Sequence, residues 1–236
     1  MKPPEVKLER GGIMRATMTM AVLALTVTPI LAADLSPKEA SRIQEAATVL
    51  KEIHAVPDKD IPQELWDHAE CVIVVPSLKK AALVIGGEYG KGLMSCRRNG
   101  EWGAPIFMRI EKGSWGLQLG AQSIDLVLLV MNEKGAEKML RNKVSLGAEA
   151  SIAGGPVGRD ARAATDAQMK AEVLSYSRTQ GLFAGINLSG GVLRADADDN
   201  ADLYGKGAVP KDIVMNGVVK APAVTDAFMA ALRRRK

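Results

Sequence analysis

The chain has 236 residues, with 31 Lys and Arg against 27 Asp and Glu, a net charge of +4, 47% hydrophobic residues and 4% aromatic ones. That apolar share excludes a disordered chain, and a complement of two His and two Cys excludes most multi-ligand metal centres and zinc ribbons. The scarcity of aromatic rings argues against a stacking platform for single strands, so no nucleic-acid partner is expected.

The N-terminus comes first. Arg15 precedes an apolar run over residues 16–31, and Ala32, Ala33 and Asp34 follow. Basic start, apolar middle and small residues before a polar one are the layout of a secretory signal. The run is shorter than the roughly 20 residues a spanning helix prefers. Residues 1–33 therefore read as a signal peptide, with Met14 a second candidate start and an uncleaved anchor the alternative. The remaining residues, 34–236, read as one domain. Export into an oxidising compartment makes a disulfide between Cys71 and Cys96 the favoured reading over two buried thiols.

Ser36, Pro37 and Glu39 form a helix start: a capping residue, proline at the first helical position and a capping-box acid. Ala40, Ile43, Ala47 and Leu50 then recur at helical spacing, which predicts an amphipathic helix over residues 36–54. A second short helix is predicted over 62–69. Beyond Glu70 short apolar runs separated by glycines predict antiparallel strands. They cover residues 71–75, 81–85, 92–97, 105–110, 114–122, 124–131, 143–152, 172–176 and 182–193. The run 124–131 is apolar apart from Asp125 and reads as a central strand. Leu117, Leu119 and Ala121 alternate with polar residues or glycine, as in a strand with one buried face. Residues 133–141 read as a helix, and Val224, Phe228, Ala231 and Leu232 form the stripe of a terminal helix with a basic end. The fold class is α+β: a single domain, mostly antiparallel β-sheet, with an N-terminal amphipathic helix and a C-terminal helix.

The glycine-rich stretch 86–92 lacks the order of a phosphate loop and reads as a tight turn between strands. The turn 154–159 could offer backbone N–H groups and Arg159 to an anion, or be purely conformational. Residues 196–202 match the first three ligand positions of a calcium loop. The match fails at Ala201 and Gly207, so a solvated acidic loop is expected. No metal and no cofactor is expected. His54 and His68 have no nucleophile in sequence context, and no Gly-x-Ser-x-Gly elbow is present. Basic residues concentrate at Lys79, Lys80, Lys91, Arg97, Arg98, Arg109 and Lys112, seven positives against Glu88, Glu101 and Glu111. If strands gather them, they would suit an anionic headgroup; otherwise they are a solvated sheet face. Residues 1–33 and the last four residues hold the positive excess, and residues 34–232 carry a net charge of −2.

Several motifs now fall in order: Trp66-Asp-His-Ala69, Cys71 to Pro76, Gly86 to Gly92, Trp102-Gly-Ala-Pro105, Gly116 to Gly120 with Asp125, Gly154 to Arg159, Tyr176-Ser-Arg178 to Gly185, and Tyr204-Gly205. In this order, over residues 36–207, they resemble the SYLF domain, also described as an actin-binding domain of yeast endocytic proteins. The resemblance implies a non-enzymatic domain that binds phosphatidylinositol phosphates and other anionic lipids through a basic surface and an amphipathic helix. For an exported chain, periplasmic or peripheral on the cell envelope, it implies an anionic phospholipid or membrane surface as partner and no encounter with actin. Lys79, Lys80, Lys91, Arg97, Arg98, Arg109, Lys112 and Arg159 would then supply headgroup contacts. An envelope protein-interaction or scaffold module without lipid dependence is the alternative, and a hydrolase using His54 or His68 a third.

Overall fold

The computed structural model describes residues 35–55, 61–82, 85–115, 120–157, 170–179 and 182–233, all within the unit Ala33–Lys236. The expected signal segment over residues 1–33, Leu117 and Leu119, Arg159 and the last three basic residues lie outside them, and the side chains around Ala121 are likewise not described.

Helix α1 (Pro37–Ile53) starts as its sequence dictates. Ser36 Oγ accepts from the Glu39 N–H, and Glu39 Oε2 accepts from the Ser36 N–H at 2.6 Å. Ile43, Ala47, Leu50 and Ile53 lie along its buried side, each fully buried Ile or Leu contributing about 2 kcal/mol. Helix α2 (Gln63–His68) follows. The strands are β1 (Cys71–Ala82), β2 (Ile85–Arg98), β3 (Glu101–Trp102), β4 (Ile106–Trp115), β5 (Gly120–Val130), β6 (Val144–Ser145), β7 (Ile152–Gly154), β8 (Val173–Thr179), β9 (Leu182–Gly185) and β10 (Val192–Ala195). Helix α3 (Glu133–Met139) follows β5, and α4 (Ala197–Tyr204) and α5 (Asp226–Leu232) end the domain, with a π-helical turn at Asp212–Asn216 between them. The strands run in the order β6-β10-β4-β2-β1-β5-β8-β7, with β3 on β2 and β9 on β8. Every pairing is antiparallel except β7 with β8.

Apolar residues cover both faces of the central strands, which is why residues 72–75 of β1 and 126–130 of β5 are unbroken runs of Val, Ile and Leu. Val72, Val74, Leu93, Phe107, Val127 and Leu129 pack with α1, α2 and α5. Ile73, Val75, Met94, Met108, Leu126 and Leu128 pack on the other side with α3 and the π-helical turn. The α+β class and the sheet's antiparallel character agree with the sequence reading.

Five expectations need correction. First, β1 does not stop at Pro76. It bulges between Val75 and Leu78, with Ser77 at φ 53°, and continues to Ala82. Second, the glycines over 86–92 are not a turn but the first half of β2. They answer to the bulge: a Cβ on Gly90 would lie 2.6 Å from Val75 Cγ1, and one on Gly92 2.0 Å from the Val74 carbonyl oxygen. Third, the predicted strand over 143–152 is broken by Gly147 at φ +88°, leaving β6, β7 and an isolated bridge from Leu146 to Ala150. Fourth, the run 182–193 is β9 and β10 with an irregular segment between. Fifth, residues 196–202 are not a solvated loop but a helix start. Asp196 caps α4, and Asp199 and Asn200 are buried.

Cys71 and Cys96 face each other across β1 and β2 and form the expected disulfide. Its sequence separation of 25 residues corresponds to about 3 kcal/mol of loop entropy. Replacing both cysteines with alanine should lower the unfolding free energy from urea denaturation by about that amount, and an unchanged unfolding free energy would contradict a stabilising bridge.

Candidate binding face

The seven described residues of the basic group do not form one surface. Lys79, Lys91, Arg97 and Arg109 share the α1 side of the sheet by register, whereas Lys80, Arg98 and Lys112 share the opposite side. Most have intramolecular partners. Lys80 Nζ lies 3.2 Å from Glu88, and the Arg98 guanidinium donates to the Asn216 carbonyl at 2.6 Å. Arg97 donates to the carbonyls of Ala69, Gly100 and Trp66 and sits 4.2 Å over the Trp102 ring. Burial lowers the Arg97 pKa against the opposing charges of Asp67 and Glu70, the pattern of an arginine held as a structural strut. Exchanging Arg97 for lysine should cost about 2 kcal/mol by leaving carbonyls unpaired, read as a fall in Tm; an unchanged Tm would contradict that role.

Lys91 is the most committed of these. Its ammonium lies 2.7 Å from Asp196 and 2.8 Å from Asp199, and Asp199 also accepts from Arg42 of α1 at 2.7 Å. This cluster ties α1, β2 and α4 together. Burial works to lower the Lys91 pKa, but hydrogen bonds to the two aspartates and their charges outweigh it and hold the ammonium above its ordinary value. Burial pushes Asp199 above the usual carboxylate range, helped by the charge of Asp196 and opposed by Lys91 and Arg42. A second tie holds the other end of α1, where Arg178 of β8 contacts both Glu52 and Asp125, and Asp125 also accepts from the Ser77 N–H at 3.0 Å.

An open cleft of about 620 Å³ lies over β2, β4 and β10, at the sheet's margin. Tyr89, Glu111, Lys112, Lys143 and Arg194 line it, with Glu88 and several glycines. Glu111 accepts from Arg194 at 2.8 Å and lies 3.7 Å from Arg109. The hydrogen bond from Arg194, against burial and with the charges of Arg194, Arg109 and Lys143, lowers the Glu111 pKa. Of the expected residues that are described, only Lys112 lines this cleft, with Arg109 beside it through Glu111. Tyr89, Lys143 and Arg194 escape a sequence reading because only strand register brings them together. A smaller cleft of about 270 Å³ lies beside α1 near Ser77, Asp125 and Arg178. Neither cleft is lined by His54 or His68. His54 instead packs edge-on against Trp66 at 4.7 Å. Among the described residues no group of three or more His, Cys, Asp or Glu side chains could hold a metal ion.

The family described as "Las17-binding protein actin regulator", Ysc84, matches residues 111–235. The chain belongs to the Ysc84 family. It is also similar to an SH3 domain-containing protein of Schizosaccharomyces pombe, 32% identical over 179 residues, which cover 74% of this chain and 41% of that protein. It is 28% identical to protein YSC84 of Saccharomyces cerevisiae over 75% of this chain and 38% of that one. With the SH3 domain-containing YSC84-like protein 1 of Bos taurus it shares 27% identity over 80% of this chain and 57% of the relative. The chain thus spans well under two thirds of these relatives. The SYLF resemblance stands, and the family description is that of an actin regulator. The partner expectation is corrected. It placed anionic phospholipid first and discounted actin, whereas the family description is of Las17 binding and actin regulation, which are dealings with proteins.

Proposed function

We propose that this chain is a non-enzymatic protein-binding domain. One observation carries the reading: the basic strand residues are divided between two faces of the sheet, and most are held by intramolecular acceptors. Membrane contact through charge needs several cations presented together to one plane. A protein partner needs only a local recess with fixed polar groups, which the β2–β4–β10 cleft provides. The family description points to the same partner class, since Las17 and actin are proteins. We further propose that the domain is exported and works at the cell envelope, on the strength of the signal-like segment and the Cys71–Cys96 disulfide.

The test combines two measurements on the full chain. Formaldehyde cross-linking in intact cells, followed by denaturing capture, should give a discrete protein adduct. Flotation with phosphatidylglycerol vesicles should not exceed flotation with phosphatidylcholine. Strong flotation with anionic vesicles and no protein adduct would overturn the proposal. Fractionation addresses location: recovery of the chain with reduced cysteines in the cytoplasm would contradict export.

A further inference from the structure

The outer edge of β4 is covered along only part of its length. Backbone groups of alternate residues point to alternate sides of a strand, and those of Phe107 point away from β2. The Phe107 carbonyl accepts from the Asp196 N–H at 2.9 Å, and the buried Asn200 amide accepts from the Phe107 N–H at 2.7 Å and donates to its carbonyl at 2.9 Å. Arg109 and Glu111, next on that side, face Arg194 and Val192 of β10. There the cover ends. Gly190, at φ +84°, turns the chain aside, and its N–H donates to the Leu146 carbonyl. β4 nevertheless continues against β2 as far as Trp115, opposite Ile85. Gly113 and Trp115 therefore point backbone N–H and C=O groups away from β2 with no strand beside them among the described residues. A Cβ added at Gly113 or at Gly190 would meet nothing within 4 Å, so the sheet face is open there.

This bare edge forms part of the floor of the 620 Å³ cleft. Natural sheets blunt such edges, and here the fold blunts the same strand with a buried asparagine at one end and leaves it bare at the other. The side chains around the bare end have a sign. Lys112 and Lys143 make no ion pair among the described residues, while Glu88 is held by Lys80 and Glu111 by Arg194. Tyr89, 44% exposed, adds an aromatic surface.

We propose that β4 beyond Glu111 is a docking edge for an extended acidic segment of a partner protein, which adds as a strand in line with β10. Main-chain hydrogen bonds to Gly113 and Trp115 supply affinity, and Lys112 and Lys143 select carboxylates on the guest. The inference rests on the protein-binding reading and names its surface.

A short capped peptide of alternating Glu and Val is the probe, with its Lys and Val counterpart and an N-methylated form as controls. Titration should slow amide exchange at Gly113 and Trp115. The basic peptide and the N-methylated peptide should bind at least about tenfold more weakly, as should the acidic peptide to a Lys112→Glu, Lys143→Glu variant. Gly113→Pro removes the outward N–H without touching the β2 ladder, so it should abolish peptide binding with little change in Tm. Equal binding of acidic and basic peptides, or protection at another edge, would overturn the proposal. So would protection of Gly113 by phosphatidylglycerol vesicles but not by the peptide. A cellular protein adduct that persists unchanged in Gly113→Pro would reject the docking edge alone, whereas no adduct in either protein would reject the protein-binding reading beneath it.

Discussion

Gly92→Ala is expected to be the most damaging single methyl in the domain, costing on the order of 4 kcal/mol or preventing folding at 37 °C. The added Cβ would lie 2.0 Å from the Val74 carbonyl oxygen, 2.7 Å from its carbonyl carbon and 2.7 Å from Val75 Cα. All three are backbone atoms of β1, beside a bulge that already fixes the local geometry. No side chain can swing aside to relieve the contact, so the two most central strands must separate. Gly113→Ala is the control, because its Cβ would meet nothing and a strand alanine is no worse than glycine. Urea denaturation of the pair should show the first far below wild type and the second within about 0.5 kcal/mol of it. Equal stabilities would mean that the glycines of β2 are not set by the close approach of β1.

The second large effect is expected at Lys91. Asp196 is 1% exposed and Asp199 6% exposed, and Lys91 is a partner of both. Lys91→Met leaves two adjacent buried carboxylates with Arg42 alone, and breaking a buried ion pair in this one-sided way costs about 3–5 kcal/mol. The pH dependence gives the mechanism its signature. Asp199 already has a raised pKa, and loss of the ammonium raises it further. A carboxyl that holds its proton more tightly in the folded state stabilises the fold below its unfolded pKa, and that contribution is lost as pH rises through the folded value. The variant's deficit should therefore shrink as pH falls from 7 toward about 4. The wild type shows the related effect at the alkaline end. Lys91 titrates above its ordinary value, so its contribution is complete at neutral pH and disappears as pH rises through that raised value. A deficit independent of pH would point to lost packing by the lysine stem instead.

How much of this was legible in the sequence depends on the range of the interaction. The start of α1 was fully legible, since Ser36, Pro37 and Glu39 act on their own neighbours. So was the central position of β5, because an apolar run without alternation fits only a strand covered on both faces. The cysteine pair was legible from parity and compartment, although register alone sets Cys71 opposite Cys96. The failures are at long-range contacts. Glycines at 86–92 resemble a turn locally, and the β1 bulge that requires them is encoded elsewhere in the chain. The acids over 196–202 resemble a solvated loop until Arg42 and Lys91, more than 100 residues away in sequence, meet them. The site follows the same rule. A cluster of cations in sequence is not a cluster in space when a strand sends alternate side chains to opposite faces. Tyr89, Lys143 and Arg194 share a cleft only because β2, β4, β10 and β6 are neighbours.

The central claim is that this domain of the Ysc84 family engages a protein through the bare end of β4. Cross-linking in intact cells of the wild-type chain and of Gly113→Pro, followed by denaturing capture and flotation with phosphatidylglycerol vesicles, tests it most directly. A discrete protein adduct is expected in wild type, with its loss in Gly113→Pro at unchanged Tm and no flotation above the phosphatidylcholine control for either. No protein adduct in either chain, with both floating on anionic vesicles, would contradict it.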